Sequence, residues 1–185
     1  MIPTLMIAGV IVLLLVLIYN NLVGKKNQVA NAFSSIDVLL KKRFDLIPNL
    51  TKTVKRYMQH ESDVLTQVTD MRTKALSGHM TDAETVDMDQ KVSSALGKIM
   101  LVAENYPELK ASETFVNLQA SLNEVEEQIS AARRAYNASV KDYNNALEMF
   151  PSNMVARLMG YQEKVFFEID AREAQPLDVG QLLDT

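Results

Sequence analysis

Residues 31–50 read NAFSSIDVLLKKRFDLIPNL, and this stretch decides the fold that the sequence predicts. Its apolar side chains recur at steps of three and four residues, the spacing of one face of an α-helix. The same face extends beyond both ends of the stretch and comprises Val29, Phe33, Ile36, Leu40, Phe44, Ile47, Leu50, Val54 and Tyr57. Such a stripe must be covered by other helices. We therefore expect an all-α fold, an elongated antiparallel bundle of about four helices with a very long first helix.

The first helix of the body is predicted to continue to Ala75, because apolar residues keep the same spacing that far. Pro48 lies inside this helix. A proline within a helix removes one backbone donor and collides with the carbonyl four residues earlier, here that of Phe44. We expect a kink or a short break between Asp45 and Pro48.

The segment 2–23 reads IPTLMIAGVIVLLLVLIYNNLV, and all 19 basic and 23 acidic residues of the chain follow residue 24. About twenty apolar residues in a helix rise roughly 30 Å, enough to cross the hydrocarbon core of a bilayer. A cleaved signal peptide would instead begin with positive charge and end in small residues. We predict an uncleaved anchor over residues 1–24. The anchor residues are Leu5, Ile7, Val10, Ile11, Leu13, Leu14, Leu15, Leu17, Ile18 and Tyr19.

Positive charge flanks this anchor on its C-terminal side. Lys25 and Lys26 follow it as a stop-transfer flank, whereas no lysine or arginine precedes it. Positive flanks are retained in the cytoplasm, so we expect a single-pass protein with its N-terminus outside and its body in the cytoplasm. The body is predicted as a helical bundle over 25–175, followed by a tail over 176–185.

Capping residues and prolines mark the remaining helices. Thr81 and the glutamate three residues later form a capping box that begins a second helix, which Pro107 ends. A third helix begins at Ser112 and carries the most regular apolar repeat in the chain. A shorter helical segment over 155–169 is expected to close the bundle. The sequence lacks sustained period-two alternation, so we expect no sheet.

Composition excludes several kinds of chemistry. The absence of cysteine excludes disulfides, thiolate metal sites and a cysteine nucleophile. The net charge of −4 argues against nucleic acid as a partner. His60 and Glu61 begin like a helical zinc motif, but Val64 stands where the second histidine would be. We therefore expect no metal, no cofactor and no catalytic residues.

Seven polar residues are predicted to form an interhelical network: Asp37, Asp45, Arg133, Tyr136, Asn137, Tyr143 and Asn144. The two aspartates lie about two helical turns apart on one face. They suggest either a carboxylate pair for acid–base chemistry or, as we favour, separate ion pairs with arginines of a facing helix, such as Arg43, Arg133 or Arg134. The two Tyr-Asn pairs are one heptad apart, which fits a device that fixes helix register; a ligand groove is the alternative.

Three segments resemble the LemA family of bacterial membrane proteins. They are residues 31–50 together with Tyr57, His60 and Glu61; AARRAYN at 131–137; and YNNALEMFPSN at 143–153. The resemblance covers nearly the whole chain and departs from the family pattern after Pro176. It implies a single-pass protein of the bacterial cytoplasmic membrane, with an elongated antiparallel bundle and no established enzymatic activity.

Two functions follow as hypotheses. The first is a non-enzymatic scaffold that is anchored in the lipid bilayer and self-associates as a homo-oligomer, because confinement to a plane raises effective concentration. The second is an adaptor that docks a protein client, such as another membrane or protease-type protein, through its distal helices. A patch of methionine and phenylalanine side chains near Met149 and Phe150 is a candidate surface for this docking.

Overall fold

The computed structural model describes residues 2–58, 62–78 and 80–167, which form six helices and contain no strand. The helices are α1 Ile2–Val54, α2 Ser62–Ser77, α3 Asp82–Ala103, α4 Pro107–Lys110, α5 Glu113–Glu148 and α6 Ser152–Leu158. The predicted all-α fold with a very long first helix is confirmed. His60, Glu61 and the tail over 176–185 lie outside the described residues.

Helix α1 contains both the apolar N-terminal segment and one face of the bundle core. Its 53 residues span about 80 Å at 1.5 Å per residue. The helix continues without interruption through residue 24, where the predicted anchor meets the predicted body. The large apolar side chains from Leu5 to Leu17 are exposed, whereas the stripe from Val29 to Val54 is mostly buried. One continuous helix therefore joins the exposed apolar segment to the core of the bundle.

The helix also continues through Pro48, where a kink or break was expected. In a regular helix the N–H of residue 48 would donate to the carbonyl of Phe44, but proline has no N–H. That carbonyl instead accepts a hydrogen bond of 3.1 Å from the side-chain Nε of Arg72, on α2. The neighbouring helix thus supplies the donor that the proline lacks, and the Phe44 carbonyl keeps a hydrogen-bond partner.

The prediction that the first body helix extends to Ala75 was wrong, because α1 ends at Val54. The N–H groups of Tyr57 and Met58 both donate to the Val54 carbonyl at 2.9 Å, in the turn that follows the helix. Helix α2 then packs antiparallel to α1, so that Arg72 lies opposite Phe44. The end of α1 and the start of α2 face the same core, and the apolar spacing therefore continues across the turn.

Helices α1 and α5 pair along the body, while α2 and α3 cover its distal half. Arg43 of α1 contacts Glu126 of α5, and the rings of Phe33 and Tyr136 lie 5.6 Å apart, so the two helices are antiparallel. Nearer the anchor, Leu22 packs with Ala146. The four long helices form the expected elongated antiparallel bundle.

The predicted helix starts agree with the structure, but the last helix is shorter than expected. The Thr81 hydroxyl accepts from the N–H of Glu84 at 3.3 Å, and the Glu84 carboxylate accepts from the Thr81 N–H at 2.8 Å, which confirms the capping box. Helix α6 ends at Leu158, and Gly160 adopts a left-handed φ of 67° that favours glycine. Residues 161–167 are not helical.

Candidate functional site

Four charged residues from three helices form a cluster within the bundle, which we call the ionic cluster: Arg43, Asp89, Glu126 and Arg133. Arg43 donates to one carboxylate oxygen of Asp89 and to Glu126. It also donates to the Ser93 hydroxyl at 2.9 Å. Arg133 donates to the second carboxylate oxygen of Asp89, so this carboxylate lies between two guanidinium groups.

The ionic cluster is deeply buried at its centre. Asp89 is 0% exposed and Arg43 is 1% exposed, whereas Glu126 reaches the surface. A buried charge requires a partner of opposite sign, and the two arginines are balanced here by two carboxylates. The cluster joins α1, α3 and α5 at one level, so its evident role is to fix how these three helices pack.

The arginine partners differ from those predicted. Asp37 and Asp45 are exposed on α1, and the arginines contact Asp89 and Glu126 instead. The reason is that Arg43 lies on the buried face of α1, level with Asp89 and Glu126, whereas the side chains of both α1 aspartates are exposed. Sequence reasoning missed Asp89, although it lies three residues before Val92 on the apolar face of α3. Its position among the regularly spaced apolar residues of α3 is the sequence feature that could have identified it as a buried charge.

Asp37 faces a second carboxylate rather than an arginine. Although the side chain is exposed, neighbouring protein atoms shield part of its carboxyl group from water, and this partial desolvation raises the pKa of Asp37; the negative charge of Asp82 raises it further. Asp82 itself accepts a hydrogen bond of 2.9 Å from Lys164. The folded protein therefore binds a proton at Asp37 more tightly than the unfolded chain does.

Replacing Asp37 by asparagine should raise the melting temperature at neutral pH. A raised carboxyl pKa means that the charged form destabilises the folded state above that pKa, and that this penalty disappears as the pH falls through it. The advantage of the variant should therefore disappear in acid, as measured by thermal unfolding over a pH series. Asp45→Asn, on the same helix, is the matched control. A lower melting temperature for Asp37→Asn at neutral pH would contradict the assignment.

Asn137 and Asn144 hold an extended part of the chain, residues 161–167, against α5. The Asn137 side chain donates to the Phe167 carbonyl and accepts from the Phe167 N–H, both at 2.9 Å. Asn144 makes the same two bonds with Lys164, also at 2.9 Å. The predicted role in helix register is therefore replaced by another one: the carboxamides bind the chain's own segment, which occupies the groove beside α5.

The two tyrosines next to these asparagines are buried. The Tyr136 hydroxyl donates to the Val165 carbonyl at 3.1 Å, and its ring packs edge-on against Phe167 with centroids 5.2 Å apart. Burial, helped by the charge of Asp82, raises the pKa of Tyr136 to about 12. Burial also raises the pKa of Tyr143, with a smaller contribution from Tyr161. Both hydroxyls therefore stay protonated at neutral pH.

The anchor residues predicted from sequence lie on one exposed apolar helix. The stretch Pro3–Val54 contains a window that is apolar and long enough to cross a membrane, and 6% of that window is buried. Lys25 and Lys26 follow, and the Lys26 ammonium group lies 5.1 Å from the ring centre of Tyr161. The end of the apolar window therefore meets the base of the bundle.

Comparison with known proteins identifies a family that matches this chain. The model of the LemA family matches residues 32–180. Protein LemA of Metamycoplasma hominis is 24% identical over 163 residues, which cover 88% of this chain and 74% of that protein. Magnetosome protein MamQ 2 of Paramagnetospirillum magneticum is 24% identical over 189 residues, covering 89% and 70%. Magnetosome protein MamQ of Magnetospirillum gryphiswaldense is 22% identical over 174 residues, covering 80% and 64%.

Proposed function

Because the chain belongs to the LemA family, we propose that it is a non-enzymatic helical scaffold anchored in the bacterial cytoplasmic membrane, where it self-associates with its body in the cytoplasm. The observation that carries this proposal is the continuity of α1 from the exposed apolar window into the bundle core. A helix that spans the bilayer and then forms the core of the body fixes the body's height above the membrane.

A fixed height favours lateral association between copies. Every copy presents the same faces at the same level, and confinement to a plane raises the effective concentration of each copy for its neighbours. Leu101 of α3 and Val116 of α5 are exposed apolar side chains near the distal end of the body, 66% and 49% exposed. They are available for a contact between copies that stand side by side.

The polar groups of the body support a structural role. The buried charges of the ionic cluster bind one another, and the carboxamides of Asn137 and Asn144 bind backbone groups of the same chain. The two asparagines belong to the Tyr-Asn pairs for which the sequence left a ligand groove as the alternative. Together, the ionic cluster and these carboxamides fix the packing of three helices and of the segment 161–167, which suits a rigid scaffold.

The mass of the full-length protein in mild detergent tests self-association. Light scattering should give a uniform particle that contains several copies of the 20.7 kDa chain. Replacing Leu101 and Val116 together by glutamate should reduce the mass toward that of one copy, because like charges would face each other across the contact. Gln67→Glu, which adds a charge on exposed α2, is the control. A monomeric wild-type protein at all concentrations would contradict the scaffold.

An adaptor is the second candidate, and a distal cleft favours it. The cleft has a volume of about 350 Å³ and lies between the end of α1 and the start of α2, with Met58 and Leu65 in its wall. The Thr51 hydroxyl in this cleft is buried and has no hydrogen-bond partner among the described residues. A monomer in detergent would favour this function over the scaffold.

A further inference from the structure

Five exposed apolar side chains lie at the corner where α5 ends and α6 follows. We call them the membrane-end patch: Met149, Phe150, Met154, Leu158 and Met159. Leu158 is 86% exposed and Phe150 is 77% exposed, values that are high for large apolar residues outside the apolar window. Large apolar side chains exposed close together in this way usually mark a contact with another molecule or with a membrane.

Helix α6 packs directly against the end of the apolar window. Leu22 of α1 is fully buried against Ala146 of α5 and Ala156 of α6, with Ile18 at the edge of this small core. Ile18 belongs to the predicted anchor, and Leu22 lies one helical turn beyond it. The corner is therefore at the membrane end of the body, and the earlier assignment of this patch to the distal helices is corrected.

The register of α1 and α5 gives the depth of the corner. Tyr136 faces Phe33 and Ala146 faces Leu22, so a step toward the C-terminus of α5 matches an equal step toward the N-terminus of α1. Helix α5 ends at Glu148, two residues beyond Ala146, so the chain leaves the helix near the level of residues 18–22. Because α1 is still inside its apolar window there, the corner extends to the level at which the helix enters the bilayer.

Helix α6 is apolar on two sides. Its inner side buries Ala156 and packs Val155 against the bundle. Its outer side exposes Met154 and Leu158, which are four residues apart and so lie on the same face of the helix. The exposed Arg157 adjoins them. An apolar face beside a basic side chain is the pattern of a helix that lies in the headgroup region of a membrane.

We propose that the membrane-end patch inserts into the membrane interface beside α1, as a second attachment of the body to the same bilayer. The occupant of this surface is lipid, because the patch lies at the level of the apolar window, where α1 itself is surrounded by lipid. The inference rests on the anchor of the proposed function. With two attachments, one at α1 and one at the corner, the α1–α5 pair keeps a fixed tilt relative to the membrane.

Depth-dependent quenching on the full-length protein tests this inference. The natural chain has no cysteine, so a single introduced cysteine carries the only thiol label. A fluorophore is attached at Phe150→Cys or at Leu158→Cys, and the protein is reconstituted into vesicles of phosphatidylethanolamine and phosphatidylglycerol, with and without brominated acyl chains. Both labels should lose fluorescence to the brominated lipid. Leu13→Cys in the anchor is the positive control, and the equally apolar Leu101→Cys on distal α3 is the negative control.

The controls separate failure of this inference from failure of the anchor. If Leu13→Cys is quenched while Phe150→Cys and Leu158→Cys behave like Leu101→Cys, the corner lies outside the bilayer and the inference is overturned. A label at the corner that is shielded from water but not quenched by brominated lipid would show a protein contact there, and would also overturn it. If Leu13→Cys is not quenched, the anchor itself is wrong. Circular dichroism checks that each variant retains its helical content.

Discussion

Replacing Asp89 by asparagine should lower the free energy of unfolding by roughly 3–5 kcal/mol, the usual cost of removing one partner from a buried ion pair. Asp89 is completely buried between the guanidinium groups of Arg43 and Arg133. Asparagine keeps the size of the side chain and removes its charge, so the two arginines would remain buried with less compensation. Chemical denaturation of the full-length protein, followed by circular dichroism, measures the loss.

The same substitution two residues earlier provides the matched control. Asp87 forms an ion pair with Lys91 on the outer face of α3, at 2.6 Å, with both side chains more than half exposed. A surface pair of this kind contributes roughly 0.3–0.5 kcal/mol, so Asp87→Asn should change stability little. Equal losses from Asp87→Asn and Asp89→Asn would show that the ionic cluster does not stabilise the packing of α1, α3 and α5.

A double substitution separates the ion pair from the rest of the cluster. Arg43→Met and Asp89→Leu should each destabilise the protein, since each leaves a buried charge without its partner. The double variant should lose less than the two single variants added together, because both unpaired charges are gone. Additive losses would mean that the two residues act independently despite their contact.

The apolar stripe of α1 was predictable because its spacing follows directly from helix geometry. The residues from Ile36 to Val54 that were predicted on one face are buried in the structure. The turn after Val54 was not predictable in the same way. The sequence from Lys55 to Met58 contains neither glycine nor proline, and the apolar spacing continues into α2. Only the packing of α2 back on α1 reveals where the chain reverses.

The ionic cluster was predictable in part. The sequence predicted that Arg133 would pair with a carboxylate between helices, and the structure contains such a pair. The carboxylate belongs to α3, however, and the sequence does not specify where α3 lies relative to Arg133. The sequence favours Asp37 and Asp45 because they lie near the α1 stripe. Which carboxylates meet the arginines depends on which faces of α3 and α5 pack against α1. These faces place Asp89 and Glu126 next to Arg43.

The conformation of the segment 161–167 could not be predicted from the sequence, for a different reason. The sequence predicted a helical segment here from the apolar residues Val155, Leu158, Val165, Phe166 and Ile169. The structure instead turns at Gly160 and satisfies the backbone of Lys164 and Phe167 with asparagine side chains of α5. Such side-chain bonds replace the bonds that a helix would make within itself. Nothing in the local sequence indicates them.

Replacing Asn137 and Asn144 by alanine should release this segment from α5. Each carboxamide makes two hydrogen bonds to the backbone of Lys164 or Phe167. At a net contribution of about 1 kcal/mol per bond, each substitution removes roughly 2 kcal/mol from the local opening free energy. Each single substitution would then let the segment open roughly 30-fold more often, since 1.4 kcal/mol corresponds to a factor of ten. Hydrogen exchange of the Lys164 and Phe167 amides measures the change.

Two further variants show whether the carboxamides themselves are responsible. Asn145→Ala removes the same side chain at an exposed position next to Asn144, and exchange at Lys164 should stay as in the wild type. Asn137→Asp keeps the oxygen that accepts from the Phe167 N–H, but replaces the donor to the Phe167 carbonyl by a negative oxygen. Exchange at Phe167 should therefore accelerate in Asn137→Asp as well. Wild-type exchange in that variant would show that one bond is sufficient, and that the paired geometry does not hold the segment.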